Sequence, residues 1–288
     1  MTPSDLATIL ASGVLLGALY GLMSYGLGLI YGVMRIVNLA HGAMLTLGAY
    51  GTLWLFTTYR IDPLWSVFFT AAATFVLGVV VEIVLVRRIQ QGPAISSLLL
   101  LFGVWLVVKN VLYLTFGGDD QSILTSYTFD RVQIGIPVSV TRLLVFVVSL
   151  ICFGLLELLL HHTYPGRAIR AVSQDREAAA LAGIDVDRTS ALTFGLGSAL
   201  AGAAGSLMAL IYSFNPEFGG SFLLKSFCVV VLGGLESTVG ILLGGFVLGI
   251  AESLSVVVLP ASFQDLVSFV LLVTILVVRP PAITKGRA

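Results

Sequence analysis

Side chains able to do chemistry gather in three places in this chain. Asn38 and His41 stand in "RIVNLAHGAMLTLGAY", with Arg35 just ahead of them. Glu252 interrupts the apolar run "LLGGFVLGIAES". The third place is "QDREAAALAGIDVDR", residues 174–188, where six charges fall within fifteen residues. An asparagine and a histidine offer donors and acceptors to a polar solute. A lone carboxylate in an apolar helix is suited to a buried ion pair or to ion coupling. Bond-breaking chemistry is not expected. No Ser-His-Asp set, acid/base dyad or metal spacing emerges, so catalytic and metal sites are predicted to be absent. His161 and His162 lie far from His41, which is therefore not read as a metal ligand. A G-x-x-x-x-G-K-[ST] loop is also missing, so the chain has no phosphate cradle and is expected to bind no cofactor itself.

The elements that carry these residues are membrane helices. The chain is 58% hydrophobic and 10% charged, with a mean hydropathy of +1.04. Its apolar runs approach or exceed the ~18 residues that a crossing helix needs. Backbone in lipid must satisfy itself, and the runs do not alternate, so helices are favoured over a barrel. Apolar segments are predicted at 7–33, 36–57, 64–86, 94–115, 138–160, 190–212, 222–234, 238–259 and 262–279. The seventh is short for a full crossing, which makes eight or nine membrane segments. The fold class is all-α: a polytopic transmembrane helical bundle, one domain over residues 1–288. The N-terminus lacks a basic region, so its first segment reads as a retained span. Net charge is zero, which removes the electrostatic case for nucleic acid. Cys152 and Cys228 fall inside apolar runs and read as buried thiols.

Basic residues orient the bundle. Arg87, Arg88, Arg167, Arg170, Arg176, Arg188, Arg279, Lys285 and Arg287 share one side, while the opposite loops hold Arg60, Arg131 and Arg142. That predicts nine crossings, an outer N-terminus and a cytoplasmic C-terminus. The loop 116–137 reads as a turn-rich outer cap. Glycines recur every four residues at Gly13, Gly17 and Gly21 and again at Gly240, Gly244 and Gly245, Gly249. Such faces let helix backbones approach closely in lipid.

Polar groups at membrane depth are costly and tend to face protein or a wet cavity. Asn38 and His41 therefore have two open readings. Either Asn38 caps a turn that orients the next helix, or both residues line a translocation path. Glu82 and Glu157 are expected near cytoplasmic ends, where snorkelling is cheap. Glu236 is expected in a turn. Glu252 lies deeper and needs a partner.

The polar stretch lies in a predicted cytoplasmic loop, 161–189. Ser173 or Asp175 can cap a helix over 175–182, with Glu177 in its first turn and Gly183 at its C-terminal stop. Two turns are unstable alone in water. Ala178, Ala179, Ala180 and Leu181 supply a small apolar face, so the helix must dock either on its own bundle or on another chain.

"GRAIRAVSQDREAAALAGID" resembles the EAA loop of ATP-binding-cassette (ABC) importer permeases. "RIVNLAHGAMLTLGAY" and "SFCVVVLGGLESTVGILLGGFVLGIAES" resemble two further signatures of the branched-chain amino acid permease family. The resemblance implies a membrane-spanning importer subunit for amino acids. It implies a homologous permease as membrane partner, usually an unlike one. It also implies two cytoplasmic ATPase subunits carrying ATP and Mg, and a periplasmic or lipid-anchored binding protein. Asp175, Glu177, Ala178, Ala179 and Gly183 would form the ATPase-coupling helix. Asn38 and His41 match an Asn-x-Ala-His-Gly element, and with Glu252 they are candidate path residues. The family also handles urea and short amides. A rival reading is a secondary transporter of a small polar solute, driven by an ion gradient through Glu252.

Overall fold

The computed structural model describes residues 3–89, 92–133, 135–234, 237–257, 260 and 263–278. Glu236, Arg279, Lys285 and Arg287 lie outside the described residues. Helix α1 runs from Pro3 to Met34 and stops at Arg35, whose φ of 54° is left-handed. A turn leads into α2 (His41–Tyr59). Asp62 then caps α3 (Pro63–Val81): its carboxylate accepts from Leu64 N at 2.9 Å, and Pro63 sits at the first helical position. The end of α3 widens into a π-turn, Glu82–Val86, before α4 (Arg87–Ile89). Then come α5 (Ala94–Phe116), the short strands β1 (Arg131–Gln133) and β2 (Pro137–Ser139), and α6 (Val140–His162). The polar loop holds α7 (Tyr164–Gln174) and α8 (Arg176–Leu181). The chain continues through α9 (Val186–Met208), α10 (Phe218–Gly233), α11 (Thr238–Ser255) and α12 (Gln264–Val278).

Each predicted apolar segment is helical over nearly all of its described residues; residues 36–40 belong to the turn before α2. By length and composition, six helices can cross a membrane: α1, α3 with its extension, α5, α6, α9 and α11. Helices α10 and α12 are apolar but shorter. Helix α2 is 19 residues long, yet glycine and threonine dilute it. The seventh segment begins four residues earlier than expected, at Phe218, because Phe218, Gly219 and Gly220 continue the helix in place of the loop that their glycines suggest.

Helix α9 is the hub. In its apolar span 83% of the residues are buried, against 17% in α5, which therefore forms a rim. The reason is composition: "ALTFGLGSALAGAAGSLM" is built from small residues, so α1, α2 and α3 all approach its backbone. Thr52 and Ser206 hydrogen-bond across the α2–α9 contact. Helix α1 lies along α11, and their glycine faces meet. A Cβ on Gly13 would stand 2.7 Å from Ile250 Cα, and one on Gly17 2.6 Å from Phe246 Cα.

One end of the bundle is closed by loops. The 116–137 segment is tied down by a backbone bridge between Gln121 and Phe214 and by Asn215 Nδ2 donating to Asp120 Oδ1 at 2.9 Å. Tyr127 donates to Asp62 at 3.1 Å. Strands β1 and β2 pair antiparallel there, which an all-α reading does not anticipate. Burial and the neighbouring Asp62 carboxylate push the Tyr127 phenol up to about 12. The opposite end carries α7, α8 and the start of α9.

Candidate functional site

The polar end is built from local signals. Thr163 caps α7, its hydroxyl accepting from Gly166 N at 3.2 Å. Ile169 and Val172 bury one side of this helix. Sequence reading missed α7; the alternation of apolar Ala168, Ile169 and Val172 with Arg167 and Arg170 was the available signal. Ser173 belongs to α7, so Asp175 caps α8. Its Oδ1 accepts from Glu177 N and Ala178 N, both at 2.9 Å. Gly183 (φ 83°) closes the other end. Its N–H donates to Ala180 O at 3.0 Å, and Ile184 N donates to Ala179 O at 3.1 Å. Those two crossed bonds form a Schellman stop, which needs a left-handed residue at Gly183. Asp185 then caps α9 through Arg188 N at 3.0 Å.

Helix α8 therefore completes its own backbone bonding and points most of its surface outward. Only Ala179 is buried; Glu177, Ala178 and Ala180 are exposed, and Leu181 is 90% exposed. The alanine face anticipated as one surface is split, Ala179 inward and its neighbours outward. The helix is wired to the bundle by charge. Arg176 lies 4.0 Å from Asp187, and Arg87 donates to Asp187 O and to Glu82 Oε2, each at 3.2 Å. Glu82 does not snorkel as expected. It is fully buried in the π-turn that ends α3, and its Oε1 has no partner among the described residues.

Asn38 and His41 are fully buried beside α1. Asn38 does not cap α2: the residue at that position is Ala40, which makes no side-chain cap bond. His41 Nε2 bonds Met23 O at 2.8 Å. The Asn38 amide and His41 Nδ1 find no protein partner among the described residues, which is uncommon for buried polar atoms.

Glu252 has the partner that its depth demands. Lys225 Nζ of α10 lies 3.0 Å from its Oε1. Ser268 of α12 donates to Oε1 at 2.6 Å, and Tyr20 of α1 donates to Oε2 at 2.6 Å. Lys225 also pairs with Asp265 at 3.0 Å. Four helices thus meet on one ion pair whose side chains are 7% and 4% exposed. The sequence flagged Glu252 as needing a partner but did not identify Lys225 as that partner. Beside this cluster a cavity of about 410 Å³ opens between α5, α10 and α12, walled by Trp105, Leu224, Phe269 and Leu272. Lys109 and Glu217 pair at 2.5 Å near its rim, and the lysine holds the Glu217 carboxyl below the usual carboxylate range. Tyr20 and Met23 stand within one turn of α1, so that helix contacts both the Glu252 cluster and His41. The structure does not bring His41 and Glu252 together. Among the described residues, no group of three potential metal ligands gathers.

The family described as "Branched-chain amino acid transport system / permease component" matches residues 9–276. The chain belongs to this branched-chain amino acid permease family. The permease is 30% identical to the high-affinity branched-chain amino acid transport system permease protein LivH of Escherichia coli K12, over 94% of this chain and 93% of the relative. It is 32% identical to BraD of Pseudomonas aeruginosa, over 95% and 94%. The ribose import permease protein RbsC of E. coli is more distant, 28% identical over 66% of this permease and 60% of the relative. No solved structure matches the chain. Family and helices together make the permease a multi-pass membrane protein.

Proposed function

We propose that this chain is the membrane-spanning subunit of an ABC importer for branched-chain amino acids. A second permease, usually an unlike one, completes the translocation path, and a periplasmic or lipid-anchored binding protein delivers the ligand. ATP and Mg bind two separate cytoplasmic ATPase subunits. The bundle is one domain with nine crossings, α10 being the short one; its N-terminus lies outside and its C-terminus in the cytoplasm of the inner membrane.

The observation that carries this reading is α8. A six-residue helix capped at both ends and exposing Ala178, Ala180 and Leu181 is shaped to be gripped by another chain. Asp175, Glu177, Ala178, Ala179 and Gly183 form the coupling helix in this view. Its movement reaches α9 through Arg176 and Asp187, and α3 through Arg87 and Glu82, as rigid elements shifted together. Asn38, His41 and Glu252 line or border the path. The unpartnered Asn38 and His41 atoms suit a second conformation in which they meet water or ligand. Lys225 neutralises Glu252, which weakens the case for an ion-coupled carboxylate there.

The test is co-purification and ATP-driven leucine uptake with the genomic neighbours. Glu177→Arg is expected to release the ATPase and abolish uptake, with the thermal midpoint of the permease unchanged; Gly183→Trp, at a left-handed φ, is expected to release it as well by undoing the end of α8. Uptake that persists in the absence of any ATPase sinks the proposal.

A further inference from the structure

The cavity between α5, α10 and α12 has a composition that a structural ion pair does not require. Lys225 already balances Glu252, which takes two further hydrogen bonds from Tyr20 and Ser268. A second carboxylate, Asp265, nevertheless lies 3.0 Å from the same ammonium, and it is 55% exposed where Glu252 is 4%. The two contacts occupy two of the three ammonium hydrogens. Lys225 and the open carboxylate of Asp265 therefore sit side by side at the cavity among apolar walls, while the other lining carboxylate, Glu217, is paired with Lys109. Ser221, also in the lining, lies one turn of α10 from Lys225.

The geometry points to a subsite for an apolar zwitterion, an α-amino acid with a hydrocarbon side chain. Its carboxylate accepts from Lys225 Nζ. Its ammonium, one carbon away, donates to Asp265. Its side chain packs on Trp105, Leu224, Phe269 and Leu272. The volume of about 410 Å³ lies in the range of small-molecule sites, roughly 300–1,000 Å³. Adjacent opposite charges match the two ends of one amino acid backbone. A sugar, which has no charges to pair, gains nothing from them. The site lies near the loop-closed end, opposite α8, where an outward-facing importer receives its ligand. This assignment rests on the amino acid transport reading above and gives it an address on this chain.

The experiment uses the complete importer in membranes and the variant Ser221→Cys. Modification by a small thiol reagent is followed against the wild-type chain, whose Cys152 and Cys228 are half-buried and buried. Leucine at ten times its dissociation constant is expected to slow modification about tenfold by mass action. Ribose, 3-methylbutylamine and 4-methylpentanoate at equal concentration are expected to leave the rate unchanged, since each lacks one or both charges. Asp265→Asn in the same background is expected to keep the ligand-free rate and lose the protection. Unchanged modification under leucine, in an importer that still takes leucine up, overturns the subsite. Equal protection by the amine alone overturns its zwitterionic character. Absence of any amino acid uptake by the wild-type importer fails the underlying reading, and the subsite with it.

Discussion

Glu252 and Glu82 are both buried carboxylates on membrane helices, and they are finished differently. Glu252 receives an ammonium and two hydroxyls, and each oxygen is bonded. Glu82 meets one guanidinium at 3.2 Å, and its Oε1 and the Nε of Arg87 have no partner among the described residues. One is a closed knot between α1, α10, α11 and α12. The other sits in a π-turn at the end of α3, beside the chain of charges that leads to α8. Saturated polar clusters fix a single arrangement, whereas partly satisfied ones and π-turns mark places where a helix can change state. The difference separates a stator, around Glu252, from a transmission, around Glu82.

The Glu252 knot is most easily undone at Lys225. Lys225→Met leaves Glu252 buried without its cation and is expected to cost about 3–5 kcal/mol. The result is loss of folded protein on size-exclusion chromatography. Adding Glu252→Gln is expected to recover much of the loss; no recovery would mean that the pair is not what holds these helices. Tyr20→Phe removes one hydrogen bond to a charged oxygen, about 1.5–3 kcal/mol. It is expected to lower the thermal midpoint while α8 keeps its protection from hydrogen exchange. Glu82→Gln is the smallest change, about 1 kcal/mol or less. Its expected effect is on function: ATP hydrolysis continues while coupled uptake falls. A midpoint drop matching that of Tyr20→Phe would erase the distinction between the two carboxylates.

Features made by near neighbours in the chain were readable in the sequence. Asp175 and Gly183 announce both ends of α8 because capping is decided within four residues. Apolar runs announce the spans for the same reason. Glu252 could be seen to need a partner, yet which one stayed open until the helices were placed. Lys225, Tyr20 and Ser268 come from three other helices, and no local pattern reports that. Asn38 misled because asparagine is a good cap in isolation, whereas here the helix starts two residues later, with Ala40 at the cap position and Asn38 buried. Glu82 misled because nearness to a predicted helix end says nothing of how the backbone turns there; it lies in a π-turn and is buried. Helix α7 was overlooked because its charges masked a narrow apolar stripe.

The contact of α1 with α11 also bears on how the molecule is made. Tyr20 is separated from Glu252 by 232 residues. At about 5–20 residues per second of synthesis, α1 waits roughly 10–50 s for its partner. Through that interval the glycine face of the first helix is bare in the bilayer, too small-featured to grip lipid and ready to accept another backbone. A nascent chain stalled before α11 thus presents a ready seam for the wrong neighbour. The last third of the polypeptide is what hides it.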